Sequence, residues 1–577
     1  MPHTTANPNT DGRPKGMGHA VGAGATWMLA ATMMVKVLTF VSQIMVGQKL
    51  TKAEFGLVAM AVATTKLLSI CQDAGVRDIL VQHRPDEYKG LSGRIFWFAA
   101  WFNISVALFI AAVAYPLANV YFETPELTQM LLILAVAMPL GTPGAILQAK
   151  LRLDLRFSAT SWLMVVSALV RQVSTVSFAF MALGAMSFMY PAIICALIES
   201  IGAWWLTRDA PWKRPAERHT WRGVYEQSKW LIFGSMANLL IDRGPYLVMK
   251  PVLTRLGVAN ETATVINGVY YWAYEMTAQI GVLLSYNLQL VLTPVFARLR
   301  DDLVRMRQAA MRSLSGMMMI GSIASLGLGV VMDPLEKLIF NGKWSAATPA
   351  IMIFGLFFPF RILYGLTTAI MVARKHTKAW CFTSFAEGIA FTLAAVVAGI
   401  VTANGWIPGL GVDAESMAWF TGGTLALGRV AITLWVFKGM GVQNREVLPE
   451  MFWPWLLAVL AAGLAWYADH SLKLGHLVVR QWSIDEESVT VSIVSAAHPS
   501  ANWIAERVAS LGYSSSTTGR LIEGIRFLFI GTTCSLAFVA IARTAMPDVL
   551  REAIRVAPGP LALLANRVLR LPPKPLA

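Results

Sequence analysis

Long apolar runs alternate with polar connections along almost the whole chain, and each run is long enough to cross a bilayer as a helix. They fall at about 22–47, 53–73, 94–115, 127–148, 158–183, 186–206, 228–249, 265–296, 313–332, 348–373, 380–403, 416–437, 451–469 and 521–543. A helix needs roughly 20 residues to span a ~30 Å hydrocarbon core, and it must satisfy its own backbone groups because lipid offers them no partners. The pattern predicts an all-α polytopic membrane protein with about fourteen transmembrane helices. Composition agrees: 56% of residues are hydrophobic, 14% are charged and mean hydropathy is +0.55.

Charge orients the spans. Arg77, Arg84, Lys89 and Arg94 lie in one connection, and Lys150, Arg152 and Arg156 in the next but one. The alternation continues through Arg208, Lys213, Arg214, Arg218 and Arg222, then Arg298, Arg300, Arg305, Arg307 and Arg312, then Arg374, Lys375 and Lys378. Connections of the opposite set are poor in basic residues, and 116–126 and 404–415 have none. The positive-inside rule makes the first set cytoplasmic, with both termini on that side. The net charge of +15 thus follows from insertion topology, spread over many loops rather than gathered into a nucleic-acid-binding patch. Residues 1–20 form a polar cytoplasmic tail without the design of a cleaved signal peptide, and 544–577 a basic cytoplasmic tail that can rest on anionic headgroups.

Enzyme chemistry finds little support. Cys71, Cys195, Cys381 and Cys534 stand singly in or at the edge of apolar spans, as packing residues do. There are no paired Cys/His ligands, phosphate loop or nucleophile elbow, so the chain is expected to need no metal and no cofactor and to catalyse no reaction. A weak repeat is visible instead. Lys49-Leu50-Thr51-Lys52 through Gly56 follows the first span as Val252-Leu253-Thr254-Arg255 through Gly257 follows the seventh, and Pro139 with Lys150–Arg152 is echoed by Pro359 with Arg374–Lys375. Offsets near 200 to 220 residues leave both halves in the same orientation, which predicts two pseudo-symmetric six-helix lobes around a central cavity. The expected division is an N-lobe at 21–206, a basic linker at 207–227, a C-lobe at 228–438, and two further helices within 439–543 that enclose a periplasmic loop at 470–519. Within that loop, 488–494 alternates like a short strand and about 502–511 reads as helix.

The run Phe40-Val41-Ser42-Gln43-Ile44 through Lys49-Leu50-Thr51-Lys52-Ala53-Glu54-Phe55-Gly56-Leu57-Val58-Ala59 resembles the first hairpin of the polysaccharide-transport (oligosaccharide flippase) branch of the multidrug/oligosaccharidyl-lipid/polysaccharide exporter superfamily. Asp73-Ala74-Gly75-Val76, Phe96-Trp97, Pro294 through Asp302 and Phe340-Asn341-Gly342-Lys343-Trp344 are similar to later segments of that branch, in the same order, over roughly 20–440. The resemblance implies an inner-membrane flippase that carries polyprenyl-pyrophosphate-linked oligosaccharide from the cytoplasmic to the periplasmic leaflet by alternating access. It also implies lipid-linked saccharide and membrane lipids as partners, with polysaccharide polymerase or co-polymerase proteins in the same pathway.

Ionisable residues inside spans need a partner, water or a ligand. Lys36, Lys66, Arg171, Arg243, Arg361 and Arg429 form the candidate cationic cavity, and Asp242 and Glu275 are candidates for ion coupling. Excess positive charge suits pyrophosphate or acidic sugars, since guanidinium offers forked donors to phosphate oxygens. A long side chain can also snorkel to the interface, which is the alternative for Lys66, Arg361 and Arg429. Asp242 and Arg243 are adjacent and so face different neighbours, while Glu523 and Arg526, three apart, read as an internal ion pair. The aromatic run Tyr270–Tyr274 reads either as an interfacial belt or as a platform for sugar rings. Two other functions remain open: an integral-membrane polymerase or ligase-type glycosyltransferase, which would use His476, Arg480 and His498 in the long loop, and an ion-coupled exporter of small molecules, whose cavity for cationic drugs would be acidic.

Overall fold

The computed structural model describes residues 17–73, 88–154, 156–215, 221–471 and 515–545. The strand expected at 488–494 and the helix at 502–511 lie outside these residues, as does most of both tails. Helices α1 (Met17–Lys49), α2 (Lys52–Asp73), α3 (Tyr88–Pro116), α4 (Glu126–Leu153), α5 (Phe157–Phe180) and α6 (Tyr190–Thr207) come first. They are followed by α7 (Trp221–Arg255), α8 (Asn260–Arg298), α9 (Leu303–Phe340), α10 (Thr348–Ala373), α11 (Thr377–Ala403) and α12 (Ala414–Lys438), and then by α13 (Asn444–Ser471) and α14 (Ser515–Ala545). The fold is all α, with no strand among the described residues. Among the described residues, eleven helices are long and apolar enough to cross a membrane. The other three, α2, α7 and α8, carry Lys66, Asp242, Arg243 and Glu275 within their length.

Local chemistry sets the ends. At the tight turn between α1 and α2, Thr51 and Glu54 form a capping box: the Glu54 amide donates to Thr51 Oγ1 at 3.2 Å, and the Thr51 amide donates back to Glu54 Oε2 at 2.6 Å. Asp302 and Asp413 cap α9 and α12 by accepting from the amides of Arg305 and Ser416. Asn341 closes α9 in the left-handed region at φ 53°.

Helices α1–α6 pack mainly among themselves, as do α7–α12, and α2 bridges the sets by lying on α7 and α8. The α2–α8 crossing is reciprocal. Gly56 meets the carbonyl of Thr264 with no room for a Cβ, and Gly268 meets the carbonyl of Lys52 in the same way. Gly56 and Gly268 stand 212 positions apart, and so do Lys52 and Thr264, so residue and partner exchange roles between the two halves. That is the signature of a two-fold interface, here within one chain, and it places the pseudo-symmetry axis between α2 and α8. Small residues let the backbones approach, as at other helix crossings in membranes.

Further contacts between the two sets gather at the same end, opposite the basic connections. Trp344 stacks on Trp272 at 4.5 Å between centroids, meets Phe55 edge-on at 5.1 Å, and donates its indole N–H to Gly47 O at 2.9 Å. Gln48 donates to Ile339 O, Lys343 to Gln48 O, Tyr121 to Leu247 O, and Lys250 to Phe122 O and Thr124 Oγ1. This end of the lobe interface is closed. A methyl group at Gly268 should overpack it at a cost of about 1–3 kcal/mol. The expected result of Gly268→Ala is a fall in disulfide yield between cysteines introduced at Gln48 and Ile339; an unchanged yield would mean that this contact does not hold the end shut.

At the opposite end the linker begins as part of the first six helices. Asp209 pairs with Arg214 at 2.6 Å and Lys150 at 3.4 Å, and Trp97 donates to Arg214 O at 3.2 Å. Burial alone would raise the Asp209 carboxyl, but the Tyr88 hydroxyl beside it and the Lys150 and Arg214 cations outweigh that and hold it below the usual carboxylate range. A depressed folded-state value contributes stability that is complete above the ordinary value of about 3.9 and is lost as pH falls through the lower one. A spin label at Pro215 should therefore stay immobile from pH 7 to about 4 and loosen only below that. In Asp209→Asn it should be mobile throughout.

Two last helices pack on α9 through Leu326, Leu457, Ala461, Ile530 and Phe538. The expected Glu523–Arg526 pair forms at 3.3 Å but is one part of a larger network. Arg526 holds Asp469 of α13 with two bonds of 2.8 and 2.6 Å and reaches Asp333 of α9 at 2.7 Å, while Lys337 also binds Asp333 at 3.1 Å.

Candidate functional site

Five of the eight site residues expected from sequence converge where α1, α7, α8 and α10 meet. Lys36, Asp242, Arg243, Glu275 and Arg361 each lie twelve to fifteen residues from the closed ends of their helices at Lys49, Arg255, Asn260 and Thr348. At 1.5 Å per residue that is a common depth of roughly 20 Å. Adjacent positions on α7 diverge by about 100°, so Asp242 and Arg243 turn to different partners. Asp242 pairs with Arg361 of α10, and Arg243 with Glu275 of α8. Lys36 donates to Gln279 Oε1 at 3.4 Å, and both carboxylates lie within its electrostatic range.

Aromatic rings brace the cations. Arg361 donates to the Tyr274 hydroxyl at 2.7 Å with its guanidinium 5.5 Å from that ring, and Arg243 lies 5.9 and 6.0 Å from the Tyr246 and Tyr271 centroids. Three cations thus meet two carboxylates. Asp242 keeps half its side-chain surface exposed, against 14% for Arg361, so the pair has one open flank.

The Tyr270–Tyr274 run takes neither of its expected places. Tyr270, Trp272 and Tyr274 are buried in the largest apolar cluster, against Tyr246, Phe354 and Phe358, and the Tyr270 hydroxyl donates to Thr421. Helix α8 extends over 39 residues, and the run lies about three turns inside it.

The other three expected residues differ in burial. Arg429 of α12 is enclosed beside Tyr364 and Thr367 of α10, one to two turns beyond Arg361, paired with Glu387 of α11, 4.6 Å from the Tyr364 ring centroid, and 2% exposed. Its surroundings are closed, and the pair neighbours the cluster. Lys66 is exposed on α2 and Arg171 on α5. Gln279 was absent from the sequence-based set, although its place one helical turn after Glu275 puts it on the same face.

A protein-family model described as "Polysaccharide biosynthesis protein" matches residues 49–349, just over half of the chain. The chain belongs to that family. Among polysaccharide biosynthesis proteins it is similar to the succinoglycan biosynthesis transport protein ExoT of Rhizobium meliloti (strain 1021), with 24% identity over 333 residues, 55% of this chain and 62% of the relative. The chain therefore spans less than two thirds of that relative's length. Among solved structures it resembles the lipid II flippase MurJ in an inward closed conformation, with a TM-score of 0.58, 10% identity, and coverage of 89% of this chain and 98% of the other. An inward-facing multidrug resistance MATE transporter of the MOP superfamily follows, with a TM-score of 0.57, 12% identity, and coverage of 72% and 98%. The family agrees with the resemblance read from sequence, and the shared fold is that of MOP superfamily transporters. The protein is a multi-pass membrane protein.

Proposed function

We propose that the protein is a bacterial inner-membrane flippase that moves polyprenyl-pyrophosphate-linked oligosaccharide from the cytoplasmic to the periplasmic leaflet by alternating access of its two lobes. The observation that carries this reading is the cluster of Lys36, Arg243 and Arg361 at the lobe junction, about 20 Å below an end shut by Trp344 and the Gly56–Gly268 crossing. The names of similar proteins, a transport protein and a flippase, point the same way. By the positive-inside rule the closed end is periplasmic, so this is the state that receives substrate from the cytoplasm.

Before substrate arrives, Asp242 and Glu275 neutralise Arg361 and Arg243, which limits the cost of charge inside the membrane. A pyrophosphate entering from the cytoplasmic side competes with both carboxylates, because each guanidinium can hold phosphate oxygens in a forked geometry. Glu275, once released from Arg243, can take up a proton and so tie transport to a proton gradient. Reopening needs the reciprocal α2–α8 contact to separate.

The test is protein-dependent movement of a fluorescent polyprenyl-pyrophosphate oligosaccharide between leaflets of proteoliposomes. Movement above that of protein-free vesicles is expected. Its absence across a panel of lipid-linked sugars would overturn the reading.

A further inference from the structure

A cavity of about 540 Å³ lies at the ends of α10, α11 and α12 on the side of the basic connections. Its inner wall is apolar and buried, formed by Ile370, Met371 and Val436, while its rim has the exposed Trp435, His376 and Lys438 beside Arg374. No carboxylate is among its lining residues. Arg374 follows α10, His376 precedes α11 and Lys438 ends α12, so the polar groups all sit at helix ends, at the level where a bilayer passes from hydrocarbon to headgroup. One guanidinium N–H donates to Gly439 O at 2.9 Å, which fixes Arg374 and leaves further donors of its five.

This groove is separate from the central cluster. Arg374 is thirteen residues beyond Arg361 on α10, roughly 20 Å along the axis. A cationic mouth over an apolar slot at headgroup depth complements a molecule with phosphate at one end and hydrocarbon at the other. The chain's own remainder does not: 546–577 has Arg551, Arg555, Arg567, Arg570 and Lys574 against Asp548 and Glu552, a basic balance that a cationic mouth repels.

We propose that the groove holds one anionic glycerophospholipid of the leaflet on that side, its phosphate at Arg374, His376 and Lys438 and an acyl chain along Trp435 and Val436. Arg374 and Lys438 supply charge and His376 a ring N–H. The site recognises a lipid of the surrounding bilayer, not the transported molecule, so it stands whether or not the protein proves to be a flippase.

Native mass spectrometry of the full chain, released from detergent containing phosphatidylglycerol or phosphatidylcholine, tests this. The wild type should retain phosphatidylglycerol in preference to phosphatidylcholine. Loss of one cation near the headgroup should weaken retention about fivefold, so Lys438→Ala should lose it to that extent while Lys438→Arg keeps it, both with unchanged melting. Equal retention of the two lipids, full retention by Lys438→Ala, or displacement of phosphatidylglycerol by inorganic phosphate would each overturn the proposal, the last by assigning the mouth to a soluble anion.

Discussion

Arg361→Ala and Arg243→Ala are each expected to lower the rate of lipid-linked oligosaccharide movement by about thirtyfold or more while the protein still folds. Truncating one partner of a desolvated, hydrogen-bonded charge pair costs about 2–5 kcal/mol, and every 1.4 kcal/mol is tenfold. In Arg361→Ala the stranded carboxylate, Asp242, is half exposed and can hydrate, so the loss should fall on transport more than on stability. Arg361→Lys keeps the charge but not the fork that binds Tyr274 and Asp242 together, and should recover only part of the rate. Glu275→Gln should retain substrate binding but lose any acceleration by an imposed pH gradient. Initial rates in proteoliposomes, with melting curves as the control for folding, decide these points. A wild-type rate in Arg361→Ala would remove the cluster from the transport path.

Removal of either member of the Glu387–Arg429 pair should act on stability instead. Both side chains are 3% exposed, so Glu387→Leu or Arg429→Met leaves a buried charge with no counter-ion, at a cost of about 3–5 kcal/mol. The double variant should melt near the wild type, because apolar residues of similar volume can replace such a pair at little cost. It should also transport. A double variant that folds but does not transport would mean that Arg429 meets substrate and is more than a packing charge.

The all-α fold and the two repeated halves were readable because both are written in patterns local to the chain. Hydropathy marks the spans, Thr51 and Glu54 mark a helix start three residues apart, and offsets near 200 to 220 residues announce two halves, although the sequence repeat set Gly56 opposite Gly257 and the structure sets it opposite Gly268. The site was readable as a set of charges and not as an arrangement. Arg171 and Arg361 look alike in sequence, each a lone cation in an apolar helix, yet Arg361 turns into the junction and Arg171 lies exposed on α5, a difference made by packing between helices. Glu387 and Arg429 meet across 42 positions, beyond the reach of any rule for neighbours on one helix. The Tyr270–Tyr274 run was misplaced for a similar reason: α8 is far longer than a bilayer needs, so its hydropathy does not say where along its length the boundary falls.

The grip of Arg526 on Asp333 ties α14 to α9, and Asp469 brings α13 into the same unit. The terminal hairpin must then travel with the second half of the molecule as one body. A dye at the end of α14 becomes a pointer for that half, and a second on α5 a fixed mark on the first. Cys195, Cys381 and Cys534 are buried, so in a Cys71→Ser background introduced thiols at those two places can be labelled selectively over them. Single-molecule distances between the dyes would give the amplitude and dwell times of the motion, read from outside the bundle without disturbing its interior.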